Sequence, residues 1–274
     1  MERFSRSWDL IKACFGVLND DKELLFFPII SGFATLIVLA SFALPLFFSG
    51  FFQHGAGPIG LVIGFLFYLS QYTVIFFFNA ALVGAALIRL KGGNPTVSDG
   101  LTVAKQNIGA IIGYAAIAAT VGMLLKAKGK RSGFVADIIR SIAGMAWTMS
   151  TFLVVPVLVS QKIGPIDAIK HSAMLLRKTW GENLIGTAGI WIGFGIVSFL
   201  YIVISIIIVF AAAQISSGLA IAVAILLIFG LMLIGIVKTS ISAIYTAALY
   251  RFATDGEAPK GFESQQMNLA FSKT

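Results

Sequence analysis

The sequence predicts an all-α membrane protein, a bundle of six transmembrane helices arranged as three hairpins with amphipathic helices on the cytoplasmic face. Two observations lead to this fold class. Of the 274 residues, 58% are hydrophobic and 12% are charged, whereas soluble proteins carry roughly 25% charged residues. The apolar residues also form six long runs, and about 20 apolar residues suffice for a helix to cross a hydrocarbon core roughly 30 Å thick.

The apolar runs define a single transmembrane domain, residues 1–250, followed by a polar cytoplasmic tail, residues 251–274. An interfacial helix is expected over residues 1–23, where an apolar stripe recurs at helical spacing: Phe4, Trp8, Ile11, Phe15 and Leu18. We expect the spans at residues 24–48, 59–90, 107–125, 141–160, 183–213 and 219–250, so that the hairpins cover residues 24–90, 107–160 and 183–250. The fourth span carries Pro156 near its end.

A second interfacial helix, residues 164–181, lies in the longest polar interruption of the chain. Proline at a first helical position loses no needed N–H, so Gly164-Pro165 is a good start. The spacing predicts an apolar stripe of Ile166, Ile169, Ala173, Leu176 and Trp180, with Lys170 and Arg177 at its edge. Two interpretations stay open: a linker helix between two spans, and a helix that senses lipid or docks a partner.

The basic residues predict the orientation in the membrane. Fourteen of the 20 Lys and Arg residues fall on one side of this six-span arrangement, and five fall on the other, all of them in residues 126–140. Because Lys and Arg near span ends concentrate on the cytoplasmic side, we expect both termini in the cytoplasm and the protein in the cytoplasmic (inner) membrane.

The net charge of +8 would suggest nucleic acid in a soluble domain. Here the basic residues lie in short loops between apolar runs, so orientation and anionic lipid headgroups explain them and nucleic-acid binding is excluded. The expected partners are membrane lipids, anionic ones in particular, and further copies of the chain. Candidate contacts with lipid or a partner are Lys128, Lys130, Arg131, Lys170, Arg177 and Trp180.

Catalytic chemistry has little support in the sequence. His54 and His171 lie in polar segments predicted on opposite sides of the membrane, and the single Cys14 permits neither a disulfide nor a cysteine cluster. Ionisable groups buried together in a membrane would stand out, because they are costly there. We therefore expect no enzymatic activity, no metal site and no cofactor.

Three polar residues within the spans are candidates for a polar path. Gln71 and Asn79 lie eight residues apart in the second span, and Lys238 lies in the sixth. The alternative for the two amides is hydrogen bonding between helices. The alternative for Lys238 is a side chain that reaches back to the cytoplasmic interface.

Short motifs follow one another along nearly the whole chain in this order: Arg6-Ser7-Trp8, Lys22-Glu23-Leu24 through Phe27-Pro28, Val154-Val155-Pro156-Val157-Leu158-Val159, Gly164-Pro165, Ala168, Lys170, Ser172 and Thr179-Trp180-Gly181-Glu182. This order resembles an uncharacterised prokaryotic family of multi-span membrane proteins, domain of unknown function 6159. It is distantly similar to the six-span membrane domain of glycerophosphodiester phosphodiesterases. The resemblance implies a location in the cytoplasmic membrane and no particular chemistry.

Two functional hypotheses follow. The first is passive passage or handling of a small solute or lipid by a homo-oligomer. No acidic residue lies deep in a predicted span, which counts against an ion-coupled pump. The second is a membrane scaffold or accessory subunit that binds lipid or a protein partner through its interfacial helices.

Overall fold

The computed structural model describes residues 2–48, 57–126, 134–180 and 185–256, together with Pro259 and Phe262. Over these residues the chain is helical and contains no strand. A 3-10 turn, Lys22–Leu25, precedes the second helix. The helices, numbered in chain order, are α1 Glu2–Asp20, α2 Phe26–Phe48, α3 Gly57–Leu90, α4 Val97–Gln106, α5 Ile108–Lys126, α6 Phe134–Ser150, α7 Val154–Gln161, α8 Pro165–Trp180, α9 Ile185–Ala213 and α10 Ser217–Asp255.

The prediction of an all-α bundle with six spans is confirmed. Within the described residues, six helical stretches are long and apolar enough to cross a membrane: Lys22–Phe48, Pro58–Leu90, Ile108–Lys126, Asp137–Gln161, Gly193–Ala213 and Ser217–Asp255. The arrangement as three hairpins is not confirmed. Helix α2 packs on α3, and α9 packs on α10, but α5 and α6 make few contacts with each other. Helix α10 also runs five residues beyond the predicted limit at Tyr250.

The fourth span is broken, where the sequence predicts one helix over residues 141–160. Helix α6 ends at Ser150, a turn covers residues 151–153, and α7 begins at Val154. The reason is Pro156, which lacks an N–H and would collide with the carbonyl of Phe152 in a continuous helix. Starting a new helix at Val154 places Pro156 in a first turn, where no N–H has a helical partner.

Helix α8 covers the predicted second amphipathic helix. Its buried face includes Leu176 of the predicted stripe, but also Ala168 and Ser172, which lie outside it. Ala168 and Ser172 are fully buried, while Ile166 is 59% exposed. The backbone N–H of Leu153, in the broken fourth span, donates to Ser172 Oγ at 3.0 Å. Buried polar groups are tolerated where they are hydrogen-bonded, so the apolar stripe predicted the contact face only in part. Leu175, outside the predicted stripe, packs against the core.

Helix α1 also buries residues outside its predicted stripe. Among its side chains that the structure describes, the buried ones are Leu10, Ile11, Cys14, Val17 and Leu18. Only two of these belong to the predicted stripe, and Phe15 of that stripe is 43% exposed. The side chains of Phe4 and Trp8 lie outside the described residues.

Burial divides the bundle into two ends. At one end, here called the core end, residues 80–87 of α3 and 243–250 of α10 are buried with α1, α7 and the contact face of α8. At the other, here called the sparse end, the large apolar side chains of α2, α9 and the first half of α10 are mostly exposed. Lipid tails can cover apolar side chains of this kind. The core end is held by side-chain packing.

The short helix α4 joins the core end through close backbone approach. A Cβ at Gly100 would lie 2.5 Å from the Phe27 ring and 2.6 Å from the carbonyl oxygen of Ala81, so only glycine fits here. At the helix start, Thr96 and Asp99 form a capping box. The backbone and hydroxyl donors of Thr96 lower the pKa of the Asp99 carboxyl.

Candidate ligand-binding cavity

Two of the three residues of the predicted polar path meet in one cavity. Asn79 of α3 and Lys238 of α10 both line a space of about 550 Å³ between α3, α5, α10 and the broken fourth span. The lining residues are Phe76, Asn79, Val83, Tyr114, Thr151, Phe152, Val155, Gly235, Lys238, Thr239, Ser242, Ala243 and Thr246. An amide, a cation and several hydroxyls thus share one cavity in a mostly apolar bundle.

The break in the fourth span supplies one wall. Thr151 and Phe152 belong to the turn between α6 and α7, and both line the cavity. The Thr151 hydroxyl donates to the carbonyl oxygen of Trp147 at 2.8 Å, which satisfies it within its own chain segment. Non-helical backbone at membrane depth is tolerated only where it is buried in protein or lines a cavity. The turn at residues 151–153 meets this condition.

Helix α10 supplies a polar stripe. Thr239, Ser242 and Thr246 follow Lys238 at helical spacing and line the same cavity. The Thr239 hydroxyl donates to Gly235 O at 2.8 Å, and the Thr246 hydroxyl donates to Ser242 O at 2.7 Å. Their hydroxyl hydrogens are thereby used, and their oxygens retain the capacity to accept hydrogen bonds.

The opposite wall combines an aromatic pair with the Asn79 amide. The rings of Phe76 and Tyr114 lie 4.5 Å apart between centroids and join α3 to α5. No side-chain hydrogen bond of Asn79 occurs among the residues that the structure describes. An amide that faces a cavity can offer two donors and one acceptor oxygen to a bound molecule.

Gln71, the third residue of the predicted path, lies in a neighbouring cavity of about 330 Å³ between α2, α3 and α10. Its Nε2 donates to the carbonyl oxygen of Thr35 at 3.1 Å, a bond between α3 and α2. Asn79 and Thr239 line both cavities. The structure therefore gives Gln71 a contact between helices, and it places Asn79 and Thr239 between the two spaces.

The predicted lipid or partner contacts lie elsewhere. Lys170 and Arg177 are exposed on α8, and Lys170 Nζ lies 3.3 Å from Asp167 Oδ1. Lys128, Lys130 and Arg131 fall outside the described residues, and so does the side chain of Trp180. For metal ions, the described residues contain no group of three or more His, Cys, Asp or Glu side chains positioned to bind one.

Sequence reasoning missed much of the polar lining. The spacing of Lys238, Thr239, Ser242 and Thr246 is visible in the sequence as a polar stripe in the sixth span, and it could have identified this face. Tyr114 carries no such signal, because a tyrosine in an apolar run is equally typical of packing between helices.

Comparison with known proteins gives one match and one negative result. A family described as a family of unknown function (DUF6159) matches residues 58–261, which is 204 of the 274 residues. The chain belongs to this family. No curated protein matches the chain, and the distant similarity to the membrane domain of glycerophosphodiester phosphodiesterases stays a prediction.

Proposed function

We propose that this member of the DUF6159 family is a multi-pass membrane protein that binds and handles a small solute or lipid in the Lys238 cavity. The observation that carries the proposal is the convergence of a broken span, the Asn79 amide and Lys238 on one polar space. Broken helices in membranes commonly surround substrate sites, because their unpaired backbone groups and polar side chains can contact a ligand.

The lining residues favour binding over chemistry. The cavity offers a cation, an amide and hydroxyls, and its lining as described includes no Asp, Glu, His or Cys. General acid–base catalysis most often uses His, followed by Asp and Glu. We accordingly propose that the protein acts without enzymatic activity, metal or cofactor.

Passage across the membrane requires more than this cavity. The Gln71 cavity continues the polar space toward the sparse end, but Asn79 and Thr239 stand between the two, and Gln71 is bonded to Thr35. Side-chain movement at Asn79 and opening of the Gln71 bond would connect them. Handling of a bound molecule is therefore the leading proposal, and passive passage is its extension.

The test is to identify small molecules that remain bound after purification in a mild detergent, by mass spectrometry of the intact and the extracted protein. Lys238→Met and Asn79→Leu should each lower the bound amount several-fold, because they remove polar groups from the cavity. Lys162→Met, at an exposed lysine outside the cavity, is the matched control. Equal binding by all four proteins would rule out the cavity as the site.

Flux into liposomes tests the extension to passage. Gln71→Leu should change flux of a bound solute if the second cavity belongs to the route. Binding without flux in the wild type would limit the function to handling.

A second candidate, a scaffold or accessory subunit, has support from the outward face of α8. Ile166, Lys170, Met174 and Arg177 are exposed and recur at helical spacing. This mixture of apolar and basic side chains suits contact with anionic headgroups or with a partner. Loss of a co-purifying protein in Ile166→Glu, with ligand binding in the cavity intact, would favour this candidate.

The proposed setting is the cytoplasmic membrane, with both termini and the core end on the cytoplasmic side and with several copies assembled. The distribution of Lys and Arg supports the orientation, and the exposed apolar surface of the sparse end leaves room for contact between copies. Labelling of single cysteines introduced near each terminus in intact cells would check the orientation. Mass photometry in lipid nanodiscs would check the number of copies.

A further inference from the structure

We infer that the molecule bound in the cavity is an amphiphile, with an anionic headgroup beside Lys238 and an acyl chain in an apolar groove between α9 and α10. The inference rests on the proposed function and specifies its ligand. Three observations carry it: the groove itself, its position on the same face of α10 as the cavity, and the depth of Lys238 along α10.

The groove is a separate space of about 460 Å³ lined by α9 and α10 at the sparse end. Its walls are almost entirely apolar; Tyr201 and Ser205 are the polar residues among the lining residues described. The Tyr201 hydroxyl is hydrogen-bonded, because it donates to the carbonyl oxygen of Leu227 at 2.9 Å. A space with these walls suits a hydrocarbon chain and disfavours a polar solute.

The groove and the cavity lie on the same face of α10. Leu227, Ile228 and Leu231 line the groove, and Gly235 and Lys238 line the cavity. Steps of three or four residues keep side chains on one face of a helix. The two spaces therefore follow each other along one helix face, apolar first and then polar, which is the order of chain and headgroup in a lipid.

The depth of Lys238 agrees with a headgroup. It lies 21 residues after Ser217, the start of α10, so at about 1.5 Å per residue the two are roughly 32 Å apart. A hydrocarbon core is about 30 Å thick. With Ser217 at one interface, Lys238 lies at the other, and the groove lies between them within the hydrocarbon.

The cavity also suits an anion that carries hydroxyl groups. Lys238 is the charged residue among the lining residues described, and the Asn79 amide can donate hydrogen bonds next to it. The oxygens of Thr239 and Thr246 can accept hydrogen bonds from a ligand, since their own hydrogens are donated along α10. A phosphate with an attached polyol, as in phosphatidylglycerol, matches the donors at Lys238 and Asn79 with its phosphate and the acceptor oxygens of Thr239 and Thr246 with its hydroxyls.

The test measures binding of labelled phosphatidylglycerol, phosphatidylcholine and glycerol phosphate to the full-length protein in detergent. Lys238→Gln should weaken phosphatidylglycerol binding by about tenfold or more, the effect of losing a charged hydrogen bond, and should change phosphatidylcholine binding less. Ala224→Phe fills the groove and should weaken both lipids. Ala222→Phe is the matched control, because Ala222 is exposed and does not line the groove.

The outcomes separate this inference from the proposed function. Glycerol phosphate that binds as tightly as the phospholipid, and is lost in Lys238→Gln, would overturn the amphiphile and keep the cavity as a solute site. Lipid binding that is insensitive to Ala224→Phe would also overturn it. If none of the three probes responds to Lys238→Gln, both this inference and an anion site in the cavity fail. Circular dichroism and elution volume identify any variant that does not fold.

Discussion

The two ends of helix α10 differ in what surrounds them. Leu249, at the core end, is 1% exposed, whereas Leu226, at the sparse end of the same helix, is 71% exposed. The core end has neighbours from α1, α3 and α7, while the sparse end packs mainly on α9. One continuous helix therefore has one half packed in protein and one half whose apolar side chains are mostly exposed.

This difference shows where specificity of packing is needed. Lipid tails are as apolar as leucine, so the sparse end gains little by burying one leucine against another. The core end is determined by shape and by hydrogen bonds, such as the fit at Gly100 and the bond from Leu153 N–H to Ser172. The Lys238 cavity lies between the core end and the sparse end.

The largest expected effect comes from the same substitution at the two ends of α10. Leu249→Ala should lower the free energy of unfolding by about 2–5 kcal/mol, because it leaves a cavity in a packed core. Leu226→Ala should change it by less than about 0.5 kcal/mol. Denaturant unfolding of both variants in the same detergent measures the difference. A cost at Leu226 as large as that at Leu249 would mean that the sparse end is packed against another copy.

Part of this fold follows directly from the sequence. Crossing a membrane depends on the length of an apolar run, which is a property of the sequence alone, so all six spans could be predicted. Proline made the break at 151–153 predictable in principle, because Pro156 lies too far inside its span for a continuous helix.

The contact faces of the amphipathic helices and the cavity could not be predicted in the same way. Apolar periodicity assumes that polar side chains face water, but Ser172 is buried because Leu153, in the turn between α6 and α7, donates to it. Such a pairing depends on the tertiary arrangement. The meeting of Asn79 with Lys238, 159 positions apart in the sequence, likewise follows from the packing of α3 on α10, which periodicity does not encode.

Gly100 tests the close approach of α4 to the core end. Gly100→Ala should lower the free energy of unfolding by about 1–3 kcal/mol, because its Cβ would collide with Ala81 backbone and the Phe27 ring. Gly64→Ala is the control at the sparse side of α3, where a Cβ meets nothing within 4 Å. It should be neutral or stabilising by up to about 1 kcal/mol. Equal effects of the two substitutions would contradict the close approach.

Ser172→Ala tests the bond between α8 and the broken span. The buried N–H of Leu153 would lose its partner, at a cost of about 1–3 kcal/mol. Ser160→Ala, at an exposed serine, should cost little. Thermal unfolding in detergent measures both. Ser172→Thr keeps the hydroxyl but adds a methyl group, so it separates loss of the hydrogen bond from a change in side-chain packing. An unchanged midpoint in Ser172→Ala would show that Leu153 finds another acceptor.

The smallest expected effect concerns a buried acid at the core end. Asp21 is 5% exposed, and its Oδ2 has no hydrogen-bond partner within the described part of the chain. Burial raises the pKa of the Asp21 carboxyl, although attraction to the Arg89 guanidinium partly opposes this. Because the folded state then holds the proton more tightly than the unfolded chain, stability falls as the pH rises from the unfolded pKa, about 3.9, through the raised folded pKa.

Asp21→Asn has no ionisable side chain at this position, so the fall in stability with rising pH should disappear. The variant should be more stable than wild type at pH 7, by about 0.5–1 kcal/mol, and the difference should vanish near pH 4. Asp20→Asn is the control, since Asp20 is exposed and lies 3.5 Å from Arg89. It should lose a weak surface ion pair instead. No gain at pH 7 in Asp21→Asn would show that the carboxylate is satisfied at the core end, and a gain that does not change with pH would show that it does not come from ionisation of Asp21.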